Sequence, residues 1–449
     1  MITFTLLQSA LFLSSITCIA ALNRRPTDRV AAAKERTGFY AGQKLMEIEI
    51  CNKEEATALR AVLERNGCRL IDDEGRGREL RHSSCTKRYS ACSPAGALEV
   101  ISSHRATVVS DDIGRELLDA RLNIQDWTEP DDGILSKDFY LSYRNYDSME
   151  ERLSNVAKMY PDVATYGVLS KKSIEGRAIR SITVQGANWT KGAARVVVTC
   201  QLHAREWIAG MACVYLAETA AGMAQSDPSW MQGAQLVVVP IVNPDGFVFS
   251  GNLEEGDRFW RKNRNANGGN QFGYCVGVDL NRNFDVDFAG KESTTDDECD
   301  IEYHGVAKRS EPEAQAVSDL LLASETHVHL DVHTFGCDIL GPWGYTNSKF
   351  GDSTADELGK SIMDAMRAKA DTDYDYGSGG AVTYLASGLL ADYSSSLGAL
   401  GYTIELPPCS LFSGLEGFAP NEDVILPAAE ELFAGAKVVL DAARQRASA

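Results

Sequence analysis

The stretch RVVVTCQLHAREWIAG, Arg195–Gly210, decides the fold. It opens on a valine run with no polar alternation. Such a run reads as a strand buried on both faces, in a parallel or mixed sheet covered by helices. From Trp207 to Ala224 the chain is apolar and alanine-rich, a good crossover helix. Between strand and helix stand His203 and Glu206. They fall at the carboxyl end of a sheet strand, where open α/β sheets bind ligands. Zinc takes nitrogen and oxygen donors, and a catalytic zinc keeps one position open. The order is not His-Glu-x-x-His, in which the glutamate is the base. Here the glutamate is expected to be a ligand, so the site needs another histidine and a separate base.

The chain has seven histidines. His82 and His104 lie in its N-terminal part, and His304 follows IEY in a loop. His327, His329 and His333 share one parity in HVHLDVH. His333 precedes TFG, so it ends its strand on the same rim as His203 and is the expected third ligand. His327 and His329 read as ordinary polar strand residues. AQLVVVPIV and YTIEL add strands, and SEPEAQAVSDLLLAS and LPAAEELFAGAKVVLDAARQRA add helices. Residues 138–440 are therefore expected to form one α/β domain with a mixed, largely parallel central sheet and helices on both faces.

The 449 residues are 44% hydrophobic and 24% charged, a soluble globular composition. The net charge of −19 falls entirely beyond residue 130 and argues against nucleic acid as a partner. Residues 1–21 read as a secretory signal peptide ending near Ala20 or Ala21, although no basic residue precedes the apolar run. No second stretch reads as long and apolar enough to span a bilayer, so no membrane is expected after signal cleavage. Cys18 leaves with the signal, and ten of the eleven cysteines remain. An even count in a secreted, extracellular chain points to disulfides. Asn188–Thr190 is a glycosylation sequon. Residues 38–130 read as a small α+β unit. KLMEIEI and RATVV are its strands, KEEATALRAVLERNG is its helix, and TEPDDGILS is the linker that follows.

The motifs HAREW, NPDGF, FWRKNRN, GVDLNRNF, EYHG, SEPE, HTFG, TYLASG and YTIEL occur in that order. Over residues 138–440 the chain resembles the secreted zinc metallocarboxypeptidases of the carboxypeptidase A/B type. The resemblance implies one Zn2+ per chain, held by His203, Glu206 and His333. It implies Asp279 as hydrogen-bond partner of a ligand histidine and Glu405 as general base. It assigns oxyanion stabilisation to Arg264, the second arginine of WRKNR. Asn281 and Arg282 would clamp the terminal carboxylate, Tyr384 would close over substrate, and Arg205 would lie along its path. Peptide or protein C-termini are the implied substrate, and a monomer is expected. A non-catalytic binding protein on the same scaffold is a second reading, but no ligand or base is missing; a zinc hydrolase removing other acyl groups is a third, against which the Asn281–Arg282–Tyr384 set argues.

In this family the residue before the Asp-aromatic pair ends the specificity pocket. Here it is Ala391, ahead of Asp392 and Tyr393. With Gly379, Thr383, Ala386 and Thr403 it implies a roomy neutral pocket and an A-like preference for aromatic or aliphatic residues. Asp331 opposes this. On strand parity it faces the same side as His333, and negative charge there would favour C-terminal Lys or Arg. The resemblance also implies disulfides Cys200–Cys213 and Cys275–Cys299, and we expect Cys337 to pair with Cys409. Cys51, Cys68, Cys85 and Cys92 allow three pairings in the front unit. That unit sits where the family carries an inhibitory propeptide. The chain is thus expected to be a zymogen, cut by an activating protease within 122–137, between Arg121 and Lys137.

Overall fold

The computed structural model describes residues 40–448, apart from 41, 52, 73–85, 115–123, 129–134, 253–255, 267–274, 291–293, 349, 371 and 410–416. The expected signal sequence, Cys18, Cys85 and Arg121 lie outside the described residues.

The front unit runs β1 (Lys44–Ile50), α1 (Lys53–Arg65), β2 (Arg69–Asp72), β3 (Thr86–Cys92), α2 (Pro94–Ser103) and β4 (Arg105–Ser110). Its sheet has the order β2-β3-β1-β4, with every neighbouring pair antiparallel. Alternation along β1 buries Met46, Ile48 and Ile50, which meet Leu59, Val62 and Leu63 of α1 and Ala97 and Val100 of α2. Cys68 pairs with Cys92, and Cys51 is also disulfide-bonded.

The body begins with α3 (Tyr146–Met159), β5 (Ala164–Lys172), β6 (Ala178–Gln185), β7 (Ala194–Cys200), α4 (Trp207–Ser226) and β8 (Ala234–Val239). It continues with α5 (Pro244–Gly251), α6 (Pro312–Ala323), β9 (Val328–Thr334), β10 (Asp338–Gly341), α7 (Ser353–Ala370) and β11 (Asp375–Ser378). It closes with α8 (Gly379–Val382), α9 (Leu390–Ser396), β12 (Leu400–Leu406) and α10 (Ile425–Ala447). Its eight strands form one mixed sheet in the order β11-β10-β12-β9-β7-β8-β6-β5. The centre, β12-β9-β7-β8, is parallel, and β6 and β5 add an antiparallel edge.

Every residue of β7, β8 and β9 is buried, as the valine runs require. Val196 and Val198 pack with α4, α7 and α10 on one face, and Val197 packs with α6 and α9 on the other. Each such valine contributes ~1.5–3 kcal/mol of burial. One expectation is corrected here. By length and composition α4 could cross a bilayer. It lies instead within the core, where its alanines let it sit close to the sheet.

Candidate active site

His203 reaches its place through a turn at the end of β7. Gln201 adopts φ 53°, in the left-handed region. Its side chain lies against Gly210 of α4, where an added Cβ would come within 2.1 Å of Oε1. An alanine there would have to displace the end of the Gln201 side chain. The Cys200–Cys213 disulfide ties the strand end to α4. Glu206 occupies the N-cap of α4, yet its carboxylate makes no capping bond. It turns toward the histidines.

His203, Glu206 and His333 are all buried and converge. Glu206 Oε1 lies 2.8 Å from His203 Nδ1, and Oε2 lies 2.9 Å from His333 Nδ1. The two Nδ1 atoms are 3.1 Å apart. Donors about 2.0–2.1 Å from a tetrahedral zinc stand about 3.3 Å apart, so the spacing fits. With both Nδ1 lone pairs turned inward, the two rings and the carboxylate offer three donors to one cation. The residues present therefore fit the metal that the sequence implies.

The outer ring nitrogens are held as well. His203 Nε2 is 3.2 Å from Asp279 Oδ1, and Arg261 Nε donates to Asp279 Oδ2 at 2.9 Å. Burial alone would raise Asp279, but the charge of Arg261, then those of His203 and Arg282, hold it well below the usual carboxylate range. His333 Nε2 is 2.9 Å from Asp331 Oδ2.

Glu405 of β12 pairs in register with His333 on β9 and with Asp338 on β10. It lines an open cleft together with His203, His333, Asn281, Arg282, Tyr384 and Ala391. Arg282 is buried and donates to Tyr384 Oη at 2.9 Å and to the Glu302 carboxylate. Burial would lower its pKa, but Tyr384, Glu302 and Asp279 outweigh this and keep it firmly charged. Ala391, Gly379, Thr383, Ala386 and Thr403 line the same cleft.

Three residues expected at the site are not among those lining the cleft. Arg264 is not among the residues lining the cleft. Its guanidinium stacks on Phe249 at 3.7 Å and Trp260 at 4.5 Å, where aromatic faces favour a cation. The first arginine of the same motif, Arg261, lines the cleft instead. Arg205 is also outside it, buried over the Phe418 ring at 3.8 Å. Asp331 is fully buried beneath the histidine and directs its carboxylate to His333 and Thr199, so that carboxylate is not on the cleft wall. Three residues were not foreseen. Arg261 was legible as the other arginine of its motif. Glu302, beside Arg282, opens the EYHG motif but was given no role, and Asp338 on the cleft wall carried no signal in the sequence.

The front unit packs against the body beside these residues. Tyr40, Leu45, Tyr89 and Ile113 form a cluster with Phe259, Phe335 and Phe418. Tyr40 Oη donates to Asp257 at 3.0 Å. The bridges Cys275–Cys299 and Cys337–Cys409 are both formed.

A mixed α/β sheet with a His-Glu-His cradle and a facing glutamate at its carboxyl edge defines a metallohydrolase. The family model described as zinc carboxypeptidase matches residues 149–435, and the chain belongs to that family as a metallocarboxypeptidase of the A/B type. It is 30% identical to carboxypeptidase B of Astacus astacus over 305 residues, 67% of this chain and 96% of that protein. It is 28% identical to carboxypeptidase A4 of Mus musculus over 316 residues, 69% of this chain and 72% of that protein. Thrombin activatable fibrinolysis inhibitor shares the fold, with TM-score 0.76, 21% identity, and coverage of 90% of this chain and 99% of that one. Carboxypeptidase A from Helicoverpa armigera does too, with TM-score 0.75, 23% identity, and coverage of 92% and 100%.

Proposed function

We propose that this chain is a secreted, zinc-dependent exopeptidase that releases single residues from peptide C-termini, and that it is made as a zymogen. One observation carries the reading. The His203–Glu206–His333 cradle, Glu405, and the Asn281–Arg282–Tyr384 group share one cleft. A cradle alone suits many hydrolases. A buried arginine fork beside it suits a free carboxylate, which a chain end offers next to its last peptide bond.

When bound at this site, zinc supplies a Lewis acid that polarises a carbonyl and acidifies a water. The rest falls to side chains. Arg282 and Asn281 hold the terminal carboxylate, and Tyr384 closes over it. The Glu405 carboxylate takes a proton from the attacking water as its oxygen bonds the carbonyl carbon. It returns that proton to the amine nitrogen as the C–N bond breaks. Arg261, rather than Arg264, stands where it can face the oxyanion, its position fixed by Asp279.

Ala391 and its small neighbours support an A-like preference. Asp338 on the wall favours the second reading, a basic terminal residue. The Tyr40 cluster supports an inhibitory front unit, and the disulfides and the exposed sequon at Asn188 support secretion. The test is the purified, cut protein acting on peptides with free or amidated C-termini. Release should need the free carboxylate, favour Phe over Arg, and fall ~10²–10⁴-fold in Glu405→Gln at unchanged zinc content. Equal cleavage of amidated peptides, or full turnover in Glu405→Gln, refutes the assignment. Faster Arg release transfers the specificity to Asp338.

A further inference from the structure

We propose that Asp331 is a positioning residue for His333, a second buried carboxylate doing for this ligand what Asp279 does for His203. The proposal rests on the reading of the cradle as a zinc site.

The strand itself places the pair. Asp331 and His333 are two apart on β9, so they share a face, while Val328, Leu330 and Val332 point into the opposite core. Asp331 Oδ2 lies 2.9 Å from His333 Nε2. Its other oxygen accepts from Thr199 Oγ1 at 2.9 Å. Thr199 is the register partner of Asp331 across β7 and β9, so a neighbouring strand orients the carboxylate. Thr199 Oγ1 lies 3.0 Å from His329 Nε2, and His329 Nδ1 lies 3.0 Å from Ser394 Oγ of α9. Because the Thr199 hydroxyl gives its hydrogen to Asp331, it can only accept from His329. His329 is thus part of the support and not an ordinary polar strand residue.

A carboxylate sealed at 0% exposure needs a reason, since burying a charge is costly unless it is paired and bonded. The chemistry of His333 supplies one. Nδ1 faces the cradle, so the ring hydrogen sits on Nε2. Two groups approach Nε2, Asp331 and Asn281 Nδ2, the latter at 3.2 Å. Asn281 Oδ1 already accepts from Leu390 N at 2.9 Å, which turns its amide nitrogen toward the ring as a donor. Only Asp331 can accept the hydrogen. It therefore selects the tautomer that leaves Nδ1 free for a metal, fixes the ring plane and strengthens the ligand.

The test reads metal affinity, not turnover. Apo full-length protein is titrated with zinc against a chromophoric chelator, as wild type and as Asp331→Asn. The variant should bind zinc about 10–100-fold more weakly. Thr199→Val, which keeps the carboxylate but loosens it, should weaken binding by a smaller factor. At saturating cobalt, the visible bands of Asp331→Asn should shift from those of wild type, because ligand geometry has changed. Zinc affinity within twofold of wild type with an unchanged cobalt spectrum overturns the assignment. If Asp331→Asn does not fold, Thr199→Val decides, and unaltered affinity there overturns it. A wild type that binds no zinc instead removes the zinc reading itself, which separates the two failures.

Discussion

The body and the front unit are built by different rules. Among the described residues, every buried charged side chain belongs to the body, whereas the front unit buries only Ser90 and Ser110 among its polar groups. Its core is aliphatic, Met46, Ile48 and Val100 with their neighbours, and could be replaced by any packing of like volume. The body instead seals Glu206, Asp279, Arg282 and Asp331 among paired partners around a few ångströms of space. Burying charge is costly unless it is paired, and around the cleft each of these charges has a partner.

The largest effect that would sharpen this contrast separates two arginines of one motif. Arg261 is buried, lines the cleft and is held by Asp279, while Arg264 stacks half-buried on two aromatic rings. At saturating zinc, Arg261→Ala should lower kcat ~10²–10³-fold, the usual loss when an oxyanion donor is removed. Arg264→Ala should change kcat by less than about fivefold and cost ~1 kcat-independent kcal/mol of stability through lost stacking. The reverse order in steady-state kinetics would return the oxyanion role to Arg264.

That pair also shows what could be read beforehand. The valine runs of β7 and β8 and the parity of β9 were legible because burial on both faces leaves no polar alternation. His203, Glu206 and His333 were expected on one rim from where their strands end, while Asp279, Asn281, Arg282, Tyr384 and Glu405 were named only through the resemblance. Which arginine of WRKNR enters the cleft was not, since it depends on how a loop turns. Asp331 was placed on the right face, but strand parity cannot say whether a side chain ends in a cleft or beneath a histidine. β3, TKRYSAC, has little apolar alternation and becomes a strand only through its partners β1 and β2. β5 is largely exposed and equally hidden from periodicity.

A middle-sized effect concerns stability. Glu313, in the body, is pushed up to about 7 by burial, against hydrogen bonds from Ile174 N at 2.9 Å and Asn263 Nδ2 at 3.2 Å. A folded-state pKa above the unfolded value gives stability that is complete below about 4.5 and is lost as pH rises through about 7. Glu313→Gln should remove this slope, a difference of ~3 kcal/mol at most between acid and neutral pH. Urea unfolding at pH 4.5 and pH 8 measures it. A variant whose stability falls across that range as steeply as wild type would show that Glu313 does not contribute to the pH response of the body.

The smallest effect lies where the two regions meet. Tyr40 is buried among Phe259, Phe335 and Phe418, and its hydroxyl reaches across to Asp257. Phe335 follows His333 closely in the chain, so the front unit rests on a loop that leaves the metal cradle. Tyr40→Phe keeps the ring and its apolar contacts but removes one hydrogen bond, worth about 1 kcal/mol net. If the front unit inhibits by staying docked, that loss should raise the activity of uncut protein by about fivefold and leave cut protein unchanged. The ratio of uncut to cut rates is the measurement, and it is independent of how tightly metal is held. Equal rates before and after cutting in wild type would make the front unit a permanent accessory and confine function to the charged interior of the body.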